Sequence, residues 1–332
     1  MKIIVDAFGG DNAPVEVMKG CAMAVEKLGV EIVLVGDSQK IKDTAIKNSI
    51  SLKYVEIIHA DDIMDIHEEP TEITKSGKNT SMAVGLKALA DGKGDAFVCA
   101  GSTGALIVGA TLIVKRIKGI KRPALAPIMP SEKNKFMLLD AGANTECRPE
   151  MLAQFALMGS IYMHKVMNVS KPVVKLLNVG AEETKGRDLE KNTYKILQAS
   201  QLNFKGNIEA RELPSGTADV VVADGYTGNV ALKLYEGMGS FFGKQLKSFF
   251  KGVGMLAGLL IKGKIDDFKK MMDYKEVGGA VLLGVSKPVI KAHGSSDAKA
   301  FYNAIRQAKA CVDGKMVETI ASELESLETE QQ

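Results

Sequence analysis

The sequence predicts an α/β protein with a mostly parallel sheet that is covered by helices on both faces. Short apolar runs alternate along the chain with segments whose apolar residues recur at helical spacing. The runs lack the strict alternation of a half-exposed strand, which indicates strands that are buried on both faces. The predicted strands are 3–5, 32–35, 54–58, 96–99, 136–139, 173–178 and 220–223, and the predicted helices are 15–28, 38–48, 81–90, 104–114, 150–165 and 189–200.

Length and composition set the scale of the molecule. We expect residues 1–332 to form one α/β catalytic unit, either undivided or arranged as two lobes around a central cleft. A net charge of +3 is too small to indicate a nucleic-acid partner. The start of the chain has no long apolar stretch, which argues against a signal peptide and favours the cytoplasm. The four cysteines are scattered and the histidines form no cluster, so no metal site is predicted.

The first predicted strand leads into residues 5–14, which read as a strand end, a glycine turn and a helix start. Gly9 and Gly10 allow the main chain to turn sharply and to approach a ligand closely. A ring of unpaired backbone N–H groups at the helix start would bind an anion, which we expect to be phosphate. The alternative is an ordinary turn in which Asp11 or Asn12 caps the helix.

Four further predicted strands end in similar glycine-containing polar stretches. Together with residues 6–10, these stretches are 100–104, 140–144, 178–186 and 224–229. We expect all five to gather at the carboxyl edge of one parallel sheet, where α/β proteins bind their ligands.

Residues 291–297 form a sixth candidate, a glycine-serine stretch that precedes an amphipathic helical pattern and suits an anion. His293 in this stretch is either part of the site or a structural histidine.

Residues 236–275 break the alternating pattern and are predicted to form a protruding amphipathic helical hairpin. Within them, the interval 244–275 carries a net charge of +5, from eight lysines and three aspartates. The apolar run is shorter than the roughly 20 residues that cross a bilayer. Either contact with an anionic membrane surface or a dimer interface would use its apolar residues. These residues are Phe249, Phe250, Val253, Leu256 and Leu260.

Several catalytic signatures are missing from the sequence. There is no G-x-x-x-x-G-K-[ST], no G-x-G-x-x-G after the first strand, and no G-x-S-x-G. These gaps argue against a P-loop nucleotidase, an ordinary dinucleotide fold and an α/β-hydrolase. What remains is an anion site built from backbone N–H groups, small polar side chains and nearby lysines.

Six motifs along the chain carry a resemblance to a known family. The motifs are Val5-Asp-Ala-Phe-Gly-Gly-Asp-Asn-Ala-Pro14, Ala100-Gly-Ser-Thr-Gly-Ala105, Arg122-Pro-Ala-Leu-Ala-Pro127, Leu177-Asn-Val-Gly180, Asp224-Gly-Tyr-Thr-Gly-Asn-Val230 and Ile290-Lys-Ala-His-Gly-Ser-Ser296. Together they resemble the bacterial phosphate acyltransferases that act on acyl-acyl carrier protein. The resemblance implies transfer of a fatty acyl group to inorganic phosphate for phospholipid synthesis. It also implies a fold similar to isocitrate and isopropylmalate dehydrogenases and phosphotransacetylase, a homodimer, peripheral membrane association and no cofactor.

The resemblance also implies roles for particular residues. Lys185 matches the family's catalytic lysine, and Asn229 would donate its amide to the oxyanion; the alternatives are a solvated lysine and a helix cap. The chain departs from the family at Phe8, Asn12 and Ser102, where Met, His and Asn are usual. Because Asn12 cannot titrate, no proton transfer is expected from it. The expected phosphate and substrate contacts are Asp6, Gly9, Gly10, Asp11, Asn12, Gly101, Ser102, Thr103, Gly104, Asn144, His293, Gly294, Ser295 and Ser296.

Three other functions stay open from the sequence. A phosphotransacetylase would share the chemistry but use acyl-CoA as the donor. A decarboxylating dehydrogenase on the same fold would need a nicotinamide site and a divalent metal. A membrane scaffold without catalytic activity would rest on residues 236–275 alone.

Overall fold

The computed structural model describes residues 1–75, 79–249, 263 and 278–330. The strands within them are β1 (Lys2–Asp6), β2 (Glu31–Gly36), β3 (Val55–His59), β4 (Ala96–Cys99), β5 (Ala124–Pro130), β6 (Lys135–Leu139), β7 (Val174–Asn178), β8 (Phe204–Glu209), β9 (Val220–Val222), β10 (Gly279–Leu283) and β11 (Val289–Ala292). The α-helices are α1 (Val15–Leu28), α2 (Ser38–Lys47), α3 (Ser81–Ala90), α4 (Thr103–Gly109), α5 (Pro149–Lys165), α6 (Asp188–Ala199), α7 (Gly225–Phe249), α8 (Ala298–Asp313) and α9 (Met316–Glu330).

The described strands form one 11-stranded sheet in the order β3-β2-β1-β4-β11-β10-β5-β6-β9-β7-β8. The five strands from β3 to β11 are mutually parallel, and so are the four from β6 to β8. Three antiparallel pairings lie between these two groups, β11 with β10, β10 with β5, and β5 with β6. The prediction of a mostly parallel sheet is therefore confirmed.

The expectation of one carboxyl edge for all five glycine-containing stretches is wrong. Three successive reversals make the two parallel groups run in opposite directions. Residues 6–10 and 100–104 follow strands of the first group, whereas 140–144, 178–186 and 224–229 follow strands of the second. The reversal was not predicted because β5 and β10 are absent from the predicted strands.

Both faces of the sheet are covered, as the apolar strands predicted. Ile3 and Val5 of β1 belong to a cluster that includes α1, α5 and α8, whereas Ile4 belongs to a cluster with α3 and α4 on the opposite face. In β6 the same alternation sends Phe136 and Leu138 to a third cluster, which includes α7. The period of two along each strand thus distributes the apolar residues to two buried faces.

The helix α7 differs from one prediction. Residues 225–229 form its first turn instead of a loop, and the helix runs without a break through 236–249. The predicted helical hairpin over residues 236–275 lies mostly outside the described residues and stays a prediction. Phe249 is the last residue of α7, and Phe250, Val253, Leu256 and Leu260 lie outside the described residues. Within the described chain, no helix has the length and apolar character needed to cross a membrane.

Two glycines in α7 provide a test of its packing. A Cβ at Gly228 would lie 1.9 Å from the Asp140 carbonyl oxygen, whereas a Cβ at Gly237 meets no described atom within 4 Å. We expect Gly228→Ala to lower the free energy of unfolding by about 1–3 kcal/mol, because backbone must shift. Gly237→Ala is the matched control and should raise it by about 0.5–1 kcal/mol. Urea unfolding measures both, and equal effects would contradict this packing.

Candidate active site

The backbone N–H groups of the 5–14 stretch are largely satisfied within the protein. The Phe8 N–H donates to Asp6 Oδ1 (3.1 Å), the Asp11 N–H to the Gly294 carbonyl (2.8 Å), and the Ala13 N–H to the Gly10 carbonyl (3.4 Å). The predicted ring of unpaired N–H groups is therefore wrong for these three.

Asn12 joins this stretch to residues 293–296. Its Nδ2 donates to the carbonyl oxygens of Ser295 and Ser296, both at 3.2 Å. No side chain caps α1, so the capping alternative for Asp11 and Asn12 is also wrong. Gly10 has φ of 102°, and a Cβ there would lie 3.0 Å from both the Ala100 Cβ and the Gly294 oxygen. The stretches that follow β1, β4 and β11 thus pack against one another.

Asp6 lies beneath the glycine turn instead of facing a ligand. It is buried, it accepts a hydrogen bond from Cys99 Sγ (3.1 Å), and burial raises the pKa of its carboxyl. A Cβ at Gly9 would lie 2.7 Å from Asp6 Oδ2 and 2.7 Å from the Gly101 nitrogen. Gly9 is therefore required by the packing of the turn, whether or not a phosphate binds above it.

Among the residues after β4, Ser102 caps α4, because its Oγ accepts a hydrogen bond from the Ala105 N–H at 3.4 Å. Thr103 and Gly104 begin α4.

Asn144 likewise holds structure together. Its Nδ2 donates to the Pro123 carbonyl (2.7 Å) and to Asp140 Oδ2 (2.9 Å), and its carbonyl accepts from the Gly225 N–H (2.7 Å). These bonds fix the stretch after β6 against the start of α7. In the structure Asn144 therefore positions other elements, which differs from the phosphate contact expected of it.

The start of α7 is fixed by a buried carboxylate. Asp224 accepts hydrogen bonds from the Thr227 N–H (2.7 Å) and the Thr227 hydroxyl (3.0 Å), and it forms an ion pair with Arg187. Further along, the Tyr235 hydroxyl donates to the Pro130 carbonyl at 2.6 Å. Asn229 lies between these two anchors, and its Cγ is 3.5 Å from the ideal Cβ position of Gly142.

A cavity of about 910 Å³ lies where the two groups of strands meet. Elements of both groups line it, since α4 and β11 belong to the first and α7 and Gly142 to the second. Its polar side chains include Thr103, Asn229, Lys233, Glu236, Lys291 and His293. Its apolar wall includes Ile107, Leu125, Ile128, Met129 and Leu232.

Of the predicted site residues, four line this cavity: Thr103, Gly104, Asn229 and His293. Lys185 is not among its lining residues; it is exposed, in the stretch after β7. Its carbonyl accepts a hydrogen bond from Asn178 Nδ2 at 3.1 Å, and its N–H donates to the Glu182 carbonyl at 3.1 Å. Arg187, two residues on, joins this stretch to the start of α7 through Asp224.

The cavity also contains cations that were not among the predicted site residues. Lys291 is partly buried, and its Nζ donates to the Ala100 carbonyl (3.2 Å) and to the Ala292 carbonyl (2.5 Å). Burial lowers the pKa of Lys291. Lys233 and Glu236 follow Asn229 in α7 at helical spacing and form an ion pair at 2.9 Å. That spacing of 229, 233 and 236 was a signal in the sequence that one helix face carries all three.

His293 is held in one orientation by the turn that it begins. Its Nδ1 accepts a hydrogen bond from the Ser295 N–H (3.2 Å) and lies 2.9 Å from the Ser295 hydroxyl. Because Nδ1 is an acceptor here, the neutral ring carries its proton on Nε2. Partial burial lowers the pKa of His293, against a smaller opposing effect from Glu236.

Comparisons with known proteins match both sequence and fold. A family model described as "Fatty acid synthesis protein" matches residues 1–319. A phosphate acyltransferase from Clostridium acetobutylicum is 45% identical over 330 residues, covering 98% of this chain and 100% of the relative. A phosphate acyltransferase from Thermoanaerobacterium thermosaccharolyticum is 46% identical over 327 residues, covering 98% and 97%.

Solved structures with low sequence identity share the fold. A phosphotransacetylase from Streptococcus pyogenes superposes with a TM-score of 0.64 at 19% identity, covering 93% of this chain and 94% of that one. A protein described as a branched-chain phosphotransacylase from Enterococcus faecalis gives 0.56 at 13% identity, with coverage of 94% and 99%.

The sheet with its central reversal is the fold found in phosphotransacylases, and the relatives that match nearly the full length are acyltransferases. The chain belongs to the phosphate acyltransferase family and is an enzyme. The resemblance recognised in its motifs is therefore confirmed.

His293 predicts a pH dependence of stability. Because its folded-state pKa is lowered, the unfolded chain binds the proton more readily. The contribution is fully present above the ordinary value of about 6.5 and is lost as the pH falls through the folded-state pKa. His293→Asn should therefore lose less thermal stability than the wild type between pH 7.5 and 5. The control is His67→Asn, on an exposed loop. Identical pH profiles for His293→Asn and the wild type would contradict this account.

Proposed function

We propose that the enzyme transfers a fatty acyl group from acyl carrier protein to inorganic phosphate, for use in phospholipid synthesis. The observation that supports this most is the cavity, in which Asn229 and Lys291 adjoin an apolar wall. An anionic nucleophile and an aliphatic chain need these two surfaces side by side. Family membership supports the reaction class, and the donor follows from the resemblance.

The reaction is an acyl transfer without a covalent enzyme intermediate. A phosphate oxygen attacks the thioester carbonyl carbon, and negative charge develops on the carbonyl oxygen. The C–S bond then breaks, the acyl phosphate forms, and the carrier leaves as a thiolate that takes a proton from solvent. The protein needs to hold the two reactants together and to stabilise the oxyanion.

We assign the polar roles to residues that line the cavity. Asn229 donates its amide to the oxyanion, as the resemblance implies. Lys291 supplies positive charge for phosphate, because two carbonyl oxygens already fix its Nζ beside the cavity. His293, with its proton on Nε2, is suited to donate to a phosphate oxygen. Lys185 does not line the cavity. The catalytic role that the resemblance implies for it is therefore the competing assignment.

Most of the remaining predicted anion contacts lie in three neighbouring stretches. Residues 9–12, 101–104 and 293–296 lie together, and the Ser296 hydroxyl is buried with no hydrogen-bond partner among the described residues. We propose that these stretches shape the phosphate end of the cavity and contact the carrier arm. The two hydrogen bonds of Asn12 support a rigid backbone as their main contribution.

We further propose a homodimer that binds the anionic inner surface of the membrane from the cytoplasm. The described part of α7 exposes a row of large apolar side chains, which supports an interface on this helix. The row comprises Tyr226, Val230, Leu234, Met238, Phe241 and Phe242.

The proposed function is tested by release of the carrier thiol. We expect free thiol to appear when the enzyme is mixed with acyl-acyl carrier protein and phosphate, and not when phosphate is omitted. Replacing the donor with the matching acyl-CoA tests the phosphotransacetylase alternative, which predicts at least equal turnover. Release that is independent of phosphate, or requires NAD or a divalent metal, would contradict the proposal.

Four variants, one of them a control, separate the assignments of the polar roles. We expect Asn229→Ala to lower kcat about 10²- to 10³-fold, the usual loss for an oxyanion donor. Lys291→Met should lower it about 10²-fold, because the cavity loses its fixed cation. Lys42→Met, on the exposed face of α2, is the control and should leave kcat unchanged. A greater loss for Lys185→Ala than for Lys291→Met would return the charge-neutralising role to Lys185.

A further inference from the structure

Residues 115–122, here called the basic loop, connect the helical turn after α4 to β5. Five of these eight residues are lysine or arginine, and none is acidic. All five are exposed, whereas Ile117 and Ile120 are buried. The loop therefore presents charge on its outer side and is anchored by apolar side chains on its inner side.

The backbone of the basic loop is fixed before any partner binds. The Ile117 N–H donates to the Gly284 carbonyl at 3.0 Å, and Arg116 Nη1 donates to the Ile120 carbonyl at 3.2 Å. Gln154 of α5 donates its Nε2 to the Gly119 carbonyl (2.9 Å) and accepts from the Lys121 N–H (2.9 Å). A partner would therefore meet a preformed surface and spend little free energy on ordering it.

The charges of the basic loop are mostly not neutralised by other residues that the structure describes. Lys121 pairs with Glu150 at 3.6 Å. Lys115, Lys118 and Arg122 make no ion pair with any carboxylate in the part of the chain that the structure describes. A cluster of exposed, uncompensated cations on a rigid backbone raises the association rate of an anionic partner.

The basic loop is connected directly to the walls of the cavity. Thr103 and Ile107 of the preceding helix line the cavity, and so does Leu125 of the following strand. Arg122 is three residues from Leu125, a length of chain that spans at most about 10 Å. A partner that binds the loop would therefore lie within a short distance of the cavity.

We propose that the basic loop is the docking surface for the acidic carrier domain that delivers the acyl thioester. This inference rests on the proposed function, which requires a protein-bound donor. A protein surface fits better than a lipid bilayer, because both isoleucines of the loop are buried and the loop offers no apolar side chain for insertion.

The test is a double charge reversal, Lys115→Glu with Lys118→Glu. We expect the KM for acyl-acyl carrier protein to rise about tenfold or more with kcat nearly unchanged, because charges at an interface rim act mainly on association. The rise should shrink at high salt, where these charges are screened. The matched control is Lys42→Glu with Lys47→Glu on α2, which makes the same change in net charge and should leave KM unchanged.

Three other outcomes would contradict the proposal, and each of them has a different meaning. Equal KM values for the two double variants would show that the loop does not bind the carrier. Loss of binding to phosphatidylglycerol vesicles, with the carrier KM unchanged, would make the loop a membrane contact. A wild-type enzyme that releases no thiol from the carrier would refute the proposed function itself, whatever the variants do.

Discussion

The buried carboxylate of Asp140 is the constraint on which the second half of the site depends. It accepts hydrogen bonds from the backbone N–H groups of Leu125, Ala143 and Asn144 and from the Asn144 side chain. Burial raises its pKa, and these donors act against that shift. Through Asn144 the network reaches the Gly225 N–H, where α7 begins. One carboxylate thus sets the position of β5, of the following loop, and of the helix that carries Asn229.

The reversal in the middle of the sheet explains why a cavity forms at all. A single parallel sheet would place its ligand-binding loops along one edge. Here the two parallel groups run in opposite directions, and the antiparallel β5 and β10 join them. Lys291 comes from the first group and Asn229 follows the second, so the two halves of the proposed chemistry meet only across the join.

The sequence predicted the buried parallel strands, most helices and the four glycine-containing stretches that line the cavity, because these depend on local apolar spacing and glycine turns. It did not predict β5, in which Pro127 and Pro130 lower the strand signal, or the reversal, which depends on pairing between distant strands. It also could not show that Asp6 and Asn144 are occupied by internal hydrogen bonds. The partners in those bonds are Cys99 and Pro123, which are distant in sequence. Local sequence patterns therefore cannot predict the bonds.

We propose that phosphate binds in the cavity that Asn229 and Lys291 both line. A crystal structure of the enzyme with arsenate, whose strong anomalous signal distinguishes it from water, tests this most directly. We expect an arsenate within hydrogen-bond distance of Lys291 Nζ and close to Asn229 Nδ2. An arsenate bound beside Lys185, outside the cavity, would contradict it.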